Sequence, residues 1–152
     1  MTQALSVVPL GRDATINRNT GSSFASPTYT EIPNIQDVNL NNVRAKNDAS
    51  VRGKDFKRYA MGQKDISPSF KLVLRREDAG YEALRDAFEN GTPIELAILD
   101  GPATALSGAY GPHADWEVEE MTRSEPVDGF IAYDVKLCIA ATANDLEYED
   151  FS

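Results

Sequence analysis

The sequence holds one histidine, His113, one cysteine, Cys138, and 24 aspartates and glutamates, and a catalytic site would have to be assembled from these. A Ser/His/Asp or Cys/His site needs His113 as its base. It sits between Pro112 and Ala114, and no G-x-S-x-G turn is present to offer a strained nucleophile. In that setting His113 reads as a bystander in a loop at a strand entry. Cys138 lies in an alternating segment, opposite the large apolar residues, and reads as a small residue tolerated on a sheet rather than a reactive thiol. A single cysteine excludes an internal disulfide framework and a cysteine-based zinc cluster, and a single histidine removes most other metal sites. Glu117, Glu119, Glu120 and Glu125 are close in sequence, but like charges alternating along a strand describe a solvated face. A glycosidase pair would need two carboxylates across a sugar-sized gap.

Nucleotide cradles are missing as well. The chain has no G-x-x-x-x-G-K and no G-x-G-x-x-G after a strand, and Gly108-Ala109-Tyr110-Gly111 is too short and lies in a Pro/Ala-rich loop. Asn90-Gly91-Thr92 matches a glycosylation sequon, yet without a secretory signal it reads better as a helix stop. The expectation is a scaffold with no catalytic residue, no cofactor and no metal.

Composition narrows the partners. The 152 residues carry 15 Lys+Arg against 24 Asp+Glu, a net charge of −9. Such a balance argues against a duplex nucleic-acid binder and against an anionic membrane surface. With 41% hydrophobic residues, one domain of this length has enough apolar side chains for a core and should bury about 68–70% of its unfolded surface. No apolar run approaches the ~20 residues of a bilayer span, and the start of the chain shows no signal peptide, so a cytoplasmic site of assembly is expected.

The elements that would position these residues follow from pattern. Residues 1–27 are poor in apolar anchors (Leu5, Val7, Val8, Leu10 and Ile16) and read as an N-terminal arm. A β domain is expected over 28–142. It opens with strands broken at Pro33, where proline favours a bend or an edge. Residues 41–65 show neither period and read as a long loop, of a length that is usually functional or disordered. They hold Arg44, Lys46, Arg52, Lys54, Lys57, Arg58 and Lys64, seven of the fifteen basic residues. A strand is predicted over 66–75, and an amphipathic helix over 77–90 with Tyr81, Leu84 and Phe88 inward, acids at its start and Gly91 at its stop. Glu82 with Arg85 and Arg85 with Glu89 are spaced to pair on its outer face. A buried strand at 92–99 follows, then a loop at 103–113. The strands around Pro126-Val127-Asp128-Gly129 form a hairpin, with Trp116, Val118, Ile131, Tyr133, Val135, Leu137 and Ile139 facing inward. Residues 143–152 read as an acidic tail. The fold class is mainly β, an antiparallel sandwich or barrel with one flanking helix.

In this order the elements resemble the major tail tube protein of long-tailed bacteriophages. The resemblance is carried by Ile32-Pro33-Asn34-Ile35-Gln36-Asp37-Val38-Asn39-Leu40 and by the polar segment containing Ala49-Ser50-Val51-Arg52-Gly53. Next come the strand 66–75 running into Asp78-Ala79-Gly80-Tyr81-Glu82-Ala83-Leu84-Arg85-Asp86-Ala87-Phe88, then Asn90-Gly91-Thr92-Pro93-Ile94 and the closing hairpin. It spans roughly Thr28 to Ala141, and the longer polar arm and the acidic tail depart from the family pattern. The resemblance implies a β sandwich that self-assembles into hexameric rings stacked into a tube for the genome, with a fold related to the tubes of contractile tails and type VI secretion. It implies a virion-tail location after assembly in the host cytoplasm, and other tail proteins (tape measure, tail tip, terminator) as partners. In such proteins a long loop between the early strands reaches the next ring, which makes the seven basic residues of 41–65 candidate inter-ring contacts. Glu117 and Glu119 are candidate lumen residues, since an acidic bore would keep DNA as a non-adhering cargo. A monomeric β-barrel binding a carbohydrate or peptide near 103–113 is the alternative, and a small hydrolase using clustered carboxylates a weaker third.

Overall fold

The computed structural model describes residues 14–104 and 106–151. Nine elements follow in the order β1 (Thr15–Asn19), β2 (Tyr29–Glu31), β3 (Ile35–Asp48), β4 (Tyr59–Val73), α1 (Ala79–Asn90), β5 (Ile94–Leu99), β6 (Tyr110–Ser124), β7 (Ala132–Ile139) and β8 (Glu147–Asp150). All the strands belong to one antiparallel sheet with the path β2-β1-β5-β6-β7-β4-β3, and β8 pairs with β6 beside it. The two ends of this path are consecutive in sequence. Only Ile32, Pro33 and Asn34 join β2 to β3, a link of at most about 14 Å. The sheet therefore curls into an open barrel whose lips meet at that corner. Asn34 makes the corner with φ 65°, and its carbonyl accepts a bond from the Val73 N–H at 2.9 Å.

The inner face is set by alternation. Leu96 and Ile98 of β5, Ala114 and Trp116 of β6, Val135 and Leu137 of β7, and Ile66, Phe70 and Leu72 of β4 are buried in one cluster. Ile16 and Ile32 from the opposite lip join the same cluster, which the curl makes possible. Trp116 is fully buried, and its indole N–H donates to the Leu96 carbonyl at 3.0 Å. Burial of side chains this size stabilises by roughly 1.5–3 kcal/mol each.

α1 lies against β5 and β6 through Tyr81, Leu84 and Ala87. Asp78 caps its first turn by accepting from the Gly80 N–H at 3.0 Å, and Gly91 ends it with φ 63°. Phe88, expected inward, is 40% exposed, because Ala87 and Leu84 already define the buried stripe. Arg85 sits 3.8 Å from Asp86 and above the Tyr81 ring instead of bridging to Glu82 or Glu89.

Four boundaries differ from the sequence expectation. The part of the expected N-terminal arm before residue 14 lies outside the described residues, but Thr15–Asn19 is a strand with Ile16 fully buried. One apolar residue in a polar stretch is too little periodicity to announce a strand, and β5 supplies the partner that holds it. The expected loop 41–65 is the outer half of a long β3–β4 hairpin. It shows no two-fold alternation because neither of its faces is buried. The acidic tail contains β8, with Leu146 packed on the core and Phe151 on a second cluster. The 103–113 loop ends early, since β6 begins at Tyr110. At the two ends of β7, Ile131 and Ile139 are 38% and 40% exposed, whereas Val135 and Leu137 between them are buried.

Candidate functional site

The β3–β4 hairpin projects as an arm. Its inner half, down to Ile66, lies over the core; outward from there every residue except Gly62 is exposed. The free part, Val43–Asp48 paired with Tyr59–Asp65, extends about 20 Å along the strand direction. All seven basic residues singled out from the sequence are on it. Arg44, Lys46 and Lys64 are in the strands, and Arg52, Lys54, Lys57 and Arg58 surround the tip. Among the described residues, none of the seven is in an ion pair.

The tip is tied by its own polar groups. The Ala49 N–H donates to the Arg58 carbonyl at 2.8 Å, the Ser50 N–H to the Asp48 carboxylate at 2.8 Å, and the Arg58 N–H to the Ser50 hydroxyl at 3.2 Å. The Ser50 side chain and N–H hold the Asp48 carboxyl below its usual range. The ammonium of Lys46 stands 3.7 Å from the centre of the Tyr59 ring.

Two features mark the arm as unfinished by itself. Arg44 and Lys64 are directly opposed across the strands, a like-charge pairing that costs stability. The arm also exposes Val43, Val51, Phe56, Tyr59 and Met61, with Phe56 84% exposed. An isolated two-stranded ribbon in water is marginal. Exposed apolar groups thus stand among cations that make no ion pair among the described residues. The sequence signal for the cations was plain; the interleaved apolar residues could only be recognised as surface once the hairpin was in place. A second exposed apolar site, at the β6–β7 turn, comprises Val127 and Phe130, fully and 76% exposed.

Glu117 and Glu119 come together on the outer face of β6. Glu117 is opposite Cys138, and Glu119 sits at a bulge with Lys136 Nζ 3.8 Å from its carboxylate. Burial and then the charges of Glu119 and Glu117 push the Cys138 thiol up, which disfavours the thiolate. Glu120 is apart, accepting from the Thr122 hydroxyl at 2.9 Å.

His113 is no loop bystander. It is in β6, fully buried, with a ring nitrogen 2.6 Å from Glu95 and Phe24 stacked on it at 4.2 Å. The sequence missed this because Glu95, Phe24 and the residues of β8 are brought to it only by the topology. Near the expected 103–113 loop, Ile98, Leu99, Tyr110, Pro112 and Tyr148 line an open apolar groove, with Val38 and Leu40 of β3 across from them.

With this geometry the chain can be set beside known proteins. No family profile and no curated protein sequence matches it. Its fold does match solved structures. A chain in the virion of a native gene transfer agent particle aligns with a TM-score of 0.71 at 12% identity, over 93% of this chain and 99% of that one. The chain has the tail-tube fold. A chain from the tail of the empty gene transfer agent particle, solved with C6 symmetry, gives a TM-score of 0.70 at 14% identity over the same shares, 93% and 99%. The SPP1 tail tube protein gives 0.69 at 18% identity over 86% of this chain and 74% of that one. The near-complete coverage of both gene transfer agent chains means that the likeness runs over nearly the whole chain and is not confined to a shared sheet.

Proposed function

We propose that the chain is the structural subunit of a virion tail tube, assembling into hexameric rings that stack into a conduit for genome delivery. The observation that carries this is the β3–β4 arm, a basic, apolar-decorated hairpin standing off a body that has the tail-tube fold over nearly its whole length. Seven basic and three acidic residues give segment 41–65 a charge of +4, which leaves −13 for the rest of a chain whose total is −9. An arm of one sign reaching an acidic body of the next copy is a head-to-tail interface, and such interfaces generate rings and filaments. Arg44, Lys46, Arg52, Lys54, Lys57, Arg58 and Lys64 are then the inter-ring contacts. Tape measure, tail tip and terminator proteins are its remaining partners, DNA is its cargo, and its role requires no catalysis.

Size-exclusion chromatography and negative-stain microscopy of the concentrated, untagged protein test the reading. Rings or tubes are the expected outcome. A protein that stays strictly monomeric at high concentration would favour a monomeric binding module that uses the apolar groove beside Tyr110 and Tyr148.

Glu117 and Glu119 are exposed on a sheet face and are proposed to line the bore, where their charge repels DNA phosphates. Replacing both by lysine should slow DNA passage at low salt and leave tube assembly intact. Ejection at the parent rate in that variant would remove these two residues from the lumen.

A further inference from the structure

On the far side of β5 and β6 from the core, three carboxylates converge on one buried imidazole. His113 is fully buried, and its Nε2 lies 2.6 Å from Glu95 Oε1, which also accepts from the Asn19 amide at 2.8 Å. A carboxylate with such a contact accepts a hydrogen bond from the Nε2 N–H, which leaves the ring's lone pair at Nδ1. Nδ1 has Glu149 Oε1 at 3.2 Å, but out of line for a hydrogen bond, and it is a buried nitrogen with no hydrogen-bond partner. Glu147, directly opposite His113 in the β6–β8 register, completes the group, and the ligand atoms of His113, Glu147 and Glu149 all lie within 4.8 Å of one another. Phe24 covers one face of the ring at 4.2 Å, and Tyr29 meets it edge-on at 5.6 Å.

The unpartnered lone pair is turned toward two carboxylates, and the Tyr29 hydroxyl beside Glu149 is a donor with no hydrogen-bond partner of its own. A lone pair between carboxylates is an arrangement that fits a cation. Two ligands held about 2.1 Å from a tetrahedral zinc stand about 3.4 Å apart, close to the separation of Nδ1 and Glu149. Glu95 is placed as the outer carboxylate that fixes the tautomer and orientation of a metal-bound histidine.

We infer that His113 Nδ1, Glu147 and Glu149 form a site for a divalent first-row metal ion, with Zn²⁺ the best match to one imidazole and two carboxylates. Glu95 is a positioning residue behind His113. The fourth ligand is a water on the side of Glu147, which is exposed. The ion ties β8 to β6, so the end of the described chain is fastened by a metal in a protein whose one cysteine cannot form an internal disulfide. This site is independent of the tube reading, since none of its residues is on the arm.

The test uses the full-length, untagged protein, stripped with a chelator and titrated with zinc chloride by calorimetry. Metal content is measured after gel filtration, and cobalt is used as a spectroscopic substitute. The expected result is one zinc per chain, a raised melting temperature and visible cobalt absorption of a four-coordinate ion. Glu147→Gln, which alters an exposed side chain, and Glu149→Gln should each weaken zinc roughly tenfold or more with the fold intact by circular dichroism. Glu95→Gln should weaken it through His113, and Glu119→Gln, on the outer face of β6, should leave it unchanged. Failure of the parent chain to take up stoichiometric zinc at millimolar concentration overturns the site. So does zinc affinity equal to the parent's in Glu147→Gln and Glu149→Gln. A nitrogen-15 spectrum with protons on both His113 ring nitrogens, with and without zinc, overturns it too and makes the bound cation a proton.

Discussion

Two glycines show how differently one added methyl group is received at single positions of this fold. Gly111 lies in β6 where it passes β5, and a β-carbon built on it would collide with the backbone carbonyl of Ile98. Backbone cannot rotate out of the way as a side chain can, so the strands must part. Gly91 meets nothing within 4 Å, and its only demand is a φ of 63° at the end of α1. Gly111→Ala is therefore expected to cost about 3 kcal/mol as an overpacking change, and Gly91→Ala about 1 kcal/mol as a backbone preference. Urea unfolding of the two variants checks the order, and equal midpoints would show that β5 and β6 do not approach as described. Nothing in the sequence separates these glycines in kind. The helix stop at Gly91 was legible because it follows a periodic segment, whereas the crowding at Gly111 depends on a strand that arrives from elsewhere in the chain.

At the scale of elements, the β3–β4 arm and the body answer to different forces. The body is held by a cluster to which every layer contributes, from Ile16 and Ile32 on one lip to Phe70 and Leu72 on the other. The arm beyond Ile66 contributes to that cluster nowhere. Replacing residues 43–65 by a two-residue Asn-Gly turn, which keeps Asn42 opposite Ile66, should then leave the thermal midpoint of the monomer within a few degrees of the parent, because little apolar burial is lost. The same variant should no longer form tubes. Cooperative unfolding far below the parent would show that the arm stabilises its own subunit. Pattern reading found the helix and the β6–β7 hairpin, since each has one buried face that imposes a period, and the corner at Pro33 from the proline itself. It failed on the arm for the opposite reason: a strand exposed on both faces carries no period to read. β1 and β8 were hidden by brevity, at five and four residues, and by partners distant in sequence. The cluster at His113 was invisible for the same reason, because Glu95 and Glu149 reach it from other strands.

For the whole molecule, the separation of charge has consequences that the net value conceals. A uniformly acidic subunit would repel its copies at every orientation, and stacking would have to overcome that repulsion by apolar contact alone. Here the arm is at +4 and the remainder at −13, so a copy approached arm-first is attracted while one approached sideways is repelled. On the proposed stacking, a carboxylate of the next copy placed between Arg44 and Lys64 relieves their repulsion and adds to this directionality. Such an interface is screened by salt, with a Debye length of about 10 Å at 0.1 M and about 3 Å at 1 M. Tube growth followed by light scattering should accordingly slow as sodium chloride rises toward molar concentration. The double variant Arg44→Glu, Lys64→Glu should lose most of that salt dependence along with most of the growth, while its monomer remains folded, because neither side chain is buried. Apolar contact works the other way: it is insensitive to ionic screening, and growth driven by Phe56 and Met61 would hold or rise with salt. Faster growth at high salt, with no effect of the double reversal, would assign the stacking to those apolar residues and leave the cations of the arm without a part in it.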